Sequence, residues 1–224
     1  MLVKIKRQSA PDSAPYWQTF TYDCSGHITV SAVLDALNYT DDLFDTEGNP
    51  APKIRWECSC MQAVCGGCAM VINGVPALAC STFLDEIKGK DLVLEPLSKF
   101  PVVADLIVDR SIIYENLNNA KAYLEGMATG EKKHYKQQYS VAKCLKCGLC
   151  LEVCPNYHPG GAFFGAVLAN ESYLLASQSQ DEESKIVKEY KKHFAAGCSK
   201  ALSCQAVCPA GIETLTSILR MNRK

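Results

Sequence analysis

The spacing of the cysteines constrains this chain more than any other feature. Thirteen cysteines occur in 224 residues, and eleven of them form three groups that span residues 60–80, 144–154 and 198–208. Disulfide frameworks are typical of small secreted domains, and no apolar signal segment follows residues 1–7, whose alternating pattern predicts a strand. The cysteines are therefore predicted to ligate metal or iron–sulfur clusters in a reducing compartment.

The first group has the plant-type C-x4-C-x2-C…C spacing of a [2Fe–2S] site, formed by Cys60, Cys65, Cys68 and Cys80. Gly66 and Gly67 lie between ligands and allow the backbone to approach a cluster and donate N–H groups to its sulfides. Zinc is the alternative, but zinc sites usually pair two C-x2-C hooks and only one is present. Cys58 replaces Cys60 only by breaking the spacing, so Cys58 and Cys24 are predicted to be free thiols.

The second group has the bacterial ferredoxin spacing C-x2-C-x2-C-x3-C-P, formed by Cys144, Cys147, Cys150, Cys154 and Pro155. In two-cluster ferredoxins with that motif, the fourth cysteine ligates the second cluster rather than the first. The first three cysteines are therefore predicted to hold a [4Fe–4S] cluster whose fourth ligand is Cys208.

The third group departs from this motif at one position. It consists of Cys198, Cys204 and Cys208 followed by Pro209, with Ala201 where a second cysteine would stand. Because one cluster corner then has no thiolate, a [3Fe–4S] cluster is predicted, with the ligands Cys154, Cys198 and Cys204. A [4Fe–4S] cluster with a fourth ligand other than cysteine is the alternative.

The long interval between the first and second cysteine groups predicts two domains, residues 1–102 and 103–224. The first is predicted to be α+β, with strands over 2–6, 17–22 and 91–95, a helix over 29–37 capped by Thr29, and a hairpin turn at Asn73-Gly74. The second is predicted to be mostly helical, with a helix reaching about Leu124 after the apolar residues 101–109, and helices over 161–176 and 181–194 that Gly197 would end.

Several function classes are disfavoured by composition. The net charge of −1 predicts no nucleic-acid partner, since phosphate binding needs a basic surface. The sequence has no run of about 18 apolar residues, so no membrane span is predicted. The four histidines are scattered, and neither a GxGxxG fingerprint nor a P-loop is present, so no catalytic residue is predicted. The remaining chemistry is one-electron relay, which needs redox partners on other chains.

The order of these motifs resembles the iron–sulfur subunit of the succinate dehydrogenase and fumarate reductase family. Besides the cysteine runs, the resemblance rests on residues 34–37 (LDAL), 95–97 (EPL), 101–109 (PVVADLIVD) and 165–168 (GAVL). It covers nearly the whole chain, and the ordered combination of three cluster motifs is highly specific.

The resemblance implies a β-grasp [2Fe–2S] ferredoxin domain followed by an all-α, bacterial-type ferredoxin domain with the [4Fe–4S] and [3Fe–4S] clusters. It implies an FAD flavoprotein with a dicarboxylate site beside the first domain, and a membrane-anchor subunit, which can carry heme, with quinone near the [3Fe–4S] cluster. The chain would then be a non-catalytic electron-transfer subunit, held peripherally at the cytoplasmic face of the inner membrane by its partners.

Positions that line the quinone site in relatives differ in this chain. The tryptophan that follows the matching Cys-Pro is absent from residues 156–159 (NYHP), Ser199 replaces a histidine, and Ala210 replaces a lysine. These departures favour menaquinone over ubiquinone, and the run from Cys147 to Cys150 favours fumarate reduction in anaerobic respiration. Two alternatives remain: the electron-transfer subunit of a soluble or thiol-driven reductase of fumarate or another unsaturated acid, and a stand-alone ferredoxin or redox sensor.

Overall fold

The computed structural model describes residues 1–23, 26–129 and 135–224. Its contacts divide the chain into two compact units, Met1–Asp109 and Arg110–Lys224. Cys24 lies outside the described residues, so its interpretation as a free thiol stays a prediction. No helix within the described ranges is long and apolar enough to cross a membrane.

The first unit is built on a mixed five-stranded sheet with the strand order β2-β1-β7-β5-β6. Its strands are β1 (Leu2–Arg7), β2 (Tyr16–Thr21), β5 (Ala69–Ile72), β6 (Val75–Leu78) and β7 (Leu92–Glu95). Two short pairs lie outside it, β3 (Leu43–Phe44) with β4 (Pro50–Ala51) and β8 (Val102–Ala104) with β9 (Ile107–Val108). The three strands predicted for this half are confirmed to within two residues.

The turn at Asn73-Gly74 forms as predicted and positions one end of the first cysteine group. Both residues have positive φ, 46° and 79°, which is the conformation that a tight two-residue hairpin requires. The resulting antiparallel register pairs Ala69 with Leu78, so Cys68 and Cys80, just beyond the paired residues, lie at the same end of the hairpin.

The helix α1 (Val30–Tyr39) has the predicted cap and apolar face. Thr29 Oγ1 accepts a hydrogen bond from the Ala32 N–H at 3.3 Å, and the buried face contains Val30, Val33, Leu34 and Leu37. The Val30 N–H donates to Thr82 O at 2.9 Å, which ties the start of the helix to the segment directly after Cys80.

A buried ion pair joins the end of β1 to the β8–β9 hairpin. Arg7 and Asp105 side chains are 1% and 4% exposed, and Arg7 Nη2 donates to Asp105 Oδ2 at 3.1 Å. Arg7 Nε also lies 3.0 Å from Asp105 Oδ1, although its N–H is not aligned for a hydrogen bond. The backbone N–H groups of Gln8 and Arg55 donate to the same carboxylate. These contacts hold residues 102–109 in the first unit, whereas the predicted boundary after residue 102 falls within β8.

The second unit is helical, in agreement with the predicted fold class. Its helices are α2 (Ser111–Asn119), α3 (Tyr135–Ala142), α4 (Leu149–Glu152), α5 (Gly165–Ala176), α6 (Glu183–Tyr190), α7 (Ser203–Ala206) and α8 (Thr214–Asn222). The helix α5 contacts α3, α4, α6 and α8, and nine of its residues are buried. It is therefore the centre of this unit's core, since helices from both earlier and later parts of the unit pack against it.

Some predicted helix bounds in this half are wrong. Residues 101–109 contain the β8–β9 hairpin rather than a lead into a helix, and α2 ends at Asn119 rather than near Leu124. The helix α5 begins at Gly165 because φ there is +74°. This left-handed value prevents a right-handed helix from starting earlier and running through Gly165. Beyond Tyr190 the helix α6 widens into a π-helical turn, Lys191–Ala195. Gly197 follows it, but its role is steric, since a Cβ there would lie 2.3 Å from the Phe163 ring.

Candidate iron–sulfur sites

The first cysteine group forms a loop whose backbone N–H groups point at sulfur. The N–H groups of Gln62 and Val64 each donate to Cys60 Sγ at 3.4 Å, and that of Ala63 donates to Cys80 Sγ at 3.3 Å. Positive φ at Ala63, and at Met61 and Gly66 in the same loop, turns these N–H groups inward. Amides directed at sulfur stabilise negative charge on it, whether thiolate or cluster sulfide.

The four sulfurs of this group come in two pairs. Cys68 Sγ lies 3.3 Å from Cys80 Sγ, and a side-chain hydrogen bond connects Cys60 to Cys65. The amides of Gln62 and Val64 lower the pKa of Cys60 to about 7, whereas burial raises the pKa of Cys68 to about 12. A buried thiolate needs a compensating cation, and iron supplies one, so this donor set fits a cluster that spans an exposed and a buried pair.

Cys58 belongs to neither of these pairs, although its thiol lies within electrostatic range of Cys80, Cys65 and Cys60. Its thiol is exposed and donates to Met61 Sδ at 3.0 Å, and burial raises its pKa despite that exposure. The residues that the structure describes include no group of three or more His, Cys, Asp or Glu that could hold a single metal ion.

In the second unit, one cavity collects the cysteines predicted to bind the [4Fe–4S] cluster. It is lined by Cys144, Cys147, Cys150 and Cys208 together with Cys204. Burial raises the pKa of the Cys147 thiol to about 11 and raises that of Cys150 well above its usual range. Apolar walls with several sulfurs suit a cluster, whose iron makes buried thiolates tolerable.

A second cavity collects the cysteines predicted to bind the [3Fe–4S] cluster. Cys154, Cys198 and Cys204 line it together with Ala201, and Phe163, Phe194 and Ile218 form much of its apolar wall. Burial raises the pKa of Cys204, and the charges of Cys154 and Cys198, which line the same cavity, raise it further. Because Cys204 lines both cavities, the two sites adjoin within this unit.

The backbone around Ala201 repeats the backbone around Cys147. Lys146 and Gly148 flank Cys147 with φ of 53° and 87°, and Lys200 and Leu202 flank Ala201 with φ of 60° and 59°. Two left-handed residues on either side of one position are uncommon, especially when one of them is leucine. The third group therefore forms a complete ligand loop in which only the thiol of the second position is missing.

Sequence reasoning did not identify Lys146 and Glu171 as part of a site. Lys146 lies between two predicted ligands, lines the [4Fe–4S] cavity and forms an ion pair with Glu171 of α5. Burial opposes the charged form of Lys146, but the negative charges of Cys144 and Glu171 outweigh it and raise the pKa of Lys146. A charged residue inside a C-x2-C run was the available signal, since such a side chain is held beside the cluster.

A sheet-based unit with a [2Fe–2S]-type loop and a helical unit with two adjoining cysteine-lined cavities define a two-domain iron–sulfur protein of the electron-transfer class. The model of the 2Fe-2S iron-sulfur cluster binding domain matches residues 2–115, and that of the 4Fe-4S dicluster domain matches residues 140–212. The chain belongs to the iron–sulfur subunit family of succinate dehydrogenases and fumarate reductases.

Relatives support this membership along the whole chain. The succinate dehydrogenase iron-sulfur subunit of Bacillus subtilis is 30% identical over 98% of this chain and 90% of its own length. The fumarate reductase iron-sulfur subunits of Haemophilus influenzae and Wolinella succinogenes are 29% and 25% identical, over 92% and 99% of this chain and 85% and 94% of their own lengths. An uncharacterized iron-sulfur protein of Methanocaldococcus jannaschii is 30% identical over 86% of this chain but only 38% of its own length.

Solved structures agree on the fold. A chain in the Mycobacterium smegmatis Sdh1 complex in the apo form superposes with a TM-score of 0.74 at 20% identity, over all of this chain and 96% of that one. A hypothetical protein from Helicobacter pylori superposes with a TM-score of 0.59 at 14% identity, over 99% of this chain and 39% of that one.

Proposed function

We propose that this chain relays electrons one at a time between an FAD flavoprotein that interconverts fumarate and succinate and a quinone site on a membrane-anchor subunit. Relatives of both physiological directions align over nearly all of it, so neither direction is favoured by similarity alone. The changed residues of the quinone end, Ser199 and Ala210 among them, favour menaquinone, and the run from Cys147 to Cys150 favours fumarate reduction. The chain itself contributes no catalytic residue and sits at the cytoplasmic face of the membrane through its partners.

The proposed ligands follow the grouping of the sulfurs. Cys60 with Cys65, and Cys68 with Cys80, would each hold one iron of the [2Fe–2S] cluster. The [4Fe–4S] cluster would be held by Cys144, Cys147, Cys150 and Cys208, and the [3Fe–4S] cluster by Cys154, Cys198 and Cys204. When bound, these clusters supply one-electron chemistry, and the residues of this chain set their spacing, shielding and charge.

The observation that carries this assignment is the loop around Ala201. Its backbone has the conformation of a ligating corner, and its methyl side chain offers no donor to iron. A site with three thiolates suits a three-iron cluster. The neighbouring cavity has its full set of four thiolates from two separate segments, as expected where fourth cysteines are exchanged between clusters.

Anaerobic purification of the native complex tests the proposal. We expect bound flavin, a multi-helix subunit, menaquinone and menaquinol-dependent fumarate reduction, and a three-iron EPR signal in the oxidised sample. An oxidised sample without that signal, with four irons at the site, would overturn the three-iron assignment.

A second candidate is the electron-transfer subunit of a soluble or thiol-driven reductase of fumarate or another unsaturated acid. The same changes at Ser199 and Ala210 support it, because they remove side chains expected at a quinone site. The purification separates the two: an active complex without an anchor subunit, driven by a soluble donor, would replace the first proposal by the second.

A further inference from the structure

The Lys146–Glu171 ion pair lies at the wall of the proposed [4Fe–4S] site. The Lys146 side chain is 18% exposed and that of Glu171 is 16% exposed, so both charges are largely withdrawn from water. Two other ion pairs join segments of the described part of this unit: Lys185 with Glu125 is 36% and 63% exposed, and Lys224 with Glu183 is 29% and 36% exposed. Charges act more strongly where water does not screen them, so the first pair has much the larger electrostatic reach.

The two charges are not equivalent with respect to the cavity. Among the described residues that line it, Lys146 alone carries a charge, whereas Glu171 is not part of the lining. Glu171 belongs to α5, whose neighbouring residues Val167 and Asn170 do face the cavity. Lys146 is thus the member of the pair that borders the cavity, and Glu171 is its partner outside the lining.

The backbone holds Lys146 in this place at a cost. Its φ of 53° is left-handed, a conformation that a non-glycine residue adopts only when the surrounding structure requires it. In the equivalent loop of the second cavity Lys200 has the same conformation, but its side chain is exposed. Burial of the lysine is therefore particular to the [4Fe–4S] side of the unit.

We propose that the Lys146–Glu171 pair sets the reduction potential of the [4Fe–4S] cluster. Reduction adds one negative charge to the cluster, and the nearer ammonium stabilises that charge more than the carboxylate opposes it. Glu171 limits this effect by partly neutralising Lys146. The pair therefore sets the reduction potential of this cluster relative to those of the [2Fe–2S] and [3Fe–4S] clusters in the relay. The proposal rests on the ligand set given above.

The test is an EPR-monitored redox titration of the full chain, purified anaerobically with its clusters and reduced stepwise with dithionite. Lys146→Met is expected to lower the potential, since the nearer cation is lost whether Glu171 stays charged or becomes protonated. Glu171→Gln is expected to raise it, because a negative charge is removed while the lysine remains. A tenfold change in the reduction equilibrium, 59 mV for one electron, is the expected scale of each shift.

Two further variants separate charge from structure. Lys146→Arg keeps the cation and is expected to retain a potential close to that of the unaltered chain. Lys185→Met removes a lysine from the exposed pair and is expected to cause no shift. If Lys146→Met fails to assemble the cluster, Glu171→Gln carries the test alone.

The inference is overturned if Glu171→Gln leaves the potential unchanged, or if both charge-removing variants shift it in the same direction. The ligand assignment fails separately, and visibly, if the unaltered chain shows no [4Fe–4S] signal on reduction. A potential that moves in opposite directions in the two variants supports both.

Discussion

At the scale of single residues, the identity of position 201 decides how many irons the third site holds. Ala201 occupies a corner whose flanking residues have the conformation of those around Cys147. Ala201→Cys is therefore expected to add one iron per chain and to remove the three-iron EPR signal of the oxidised protein. Iron quantitation and low-temperature EPR check this. Ala206→Cys is the control, because it adds an exposed cysteine nearby that lines neither cavity, and a signal that survives in Ala201→Cys would contradict the expectation.

Two neighbouring cysteines of the first site are expected to behave differently. Cys60 accepts two backbone N–H groups, whereas the exposed Cys58 donates to Met61 Sδ. Cys58→Ser is expected to retain the visible absorption and circular dichroism of the [2Fe–2S] cluster, and Cys60→Ser to alter or lose them. Loss of the cluster in both variants, or in Cys58→Ser alone, would show that Cys58 is a ligand.

At the scale of the elements, the start of α5 tests how tightly the central helix is packed. Gly165 and Gly160 share a φ of +74°, but a Cβ would lie 2.4 Å from Leu151 Cδ2 at Gly165 and would meet open space at Gly160. Either glycine-to-alanine change adds backbone strain of about 1 kcal/mol. Gly165→Ala also forces the buried Leu151 to move, which adds about 1–3 kcal/mol.

Urea unfolding of the anaerobic, cluster-loaded chain measures the two changes side by side. We expect the free energy of unfolding to fall further for Gly165→Ala than for Gly160→Ala. The difference between the two variants should equal the cost of displacing Leu151, because the backbone strain is the same in both. Equal losses would mean that Leu151 relaxes without cost and that the strain of the left-handed backbone is the whole effect.

Elements defined by local signals were the ones that the sequence could predict. The cap of α1 at Thr29, the turn at Asn73-Gly74 and the alternation along β1 each depend on a few adjacent residues, and each formed where expected. The β8–β9 hairpin was missed because its strands are only two or three residues long. Its turn residue with positive φ, 47°, is Asp105 rather than a glycine, so the sequence carries no clear turn signal there.

The cluster sites likewise have features that a local sequence pattern predicts and features that only the folded structure brings together. Cysteine spacing is a local pattern, so the three groups were recognisable before any contact was known. The charges around them were not, because Lys146 and Glu171 are 25 positions apart in the chain and only the packing of α5 brings them together. The Arg7–Asp105 pair spans 98 positions, and neither residue stands out from other surface-type charges in the sequence.

At the scale of the whole molecule, that buried pair decides where the first unit can be cut. A fragment of residues 1–102 keeps Arg7 but loses Asp105, and a buried charge deprived of its partner costs about 3–5 kcal/mol. Residues 1–109 keep the pair and the Leu106 N–H bond to Arg55 O. The longer fragment is therefore expected to fold and hold the [2Fe–2S] cluster, and the shorter one to be less stable by this amount.

Visible circular dichroism reports the cluster in each fragment, and urea unfolding measures the difference in free energy. Asp105→Asn in the longer fragment separates chain length from charge, because it removes the carboxylate and leaves β8 and β9 in place. It is expected to lose most of the stability that the shorter fragment loses. Equal stability of the two fragments would show that the hairpin and its ion pair are dispensable, and that the unit ends after residue 102, where the sequence predicted it.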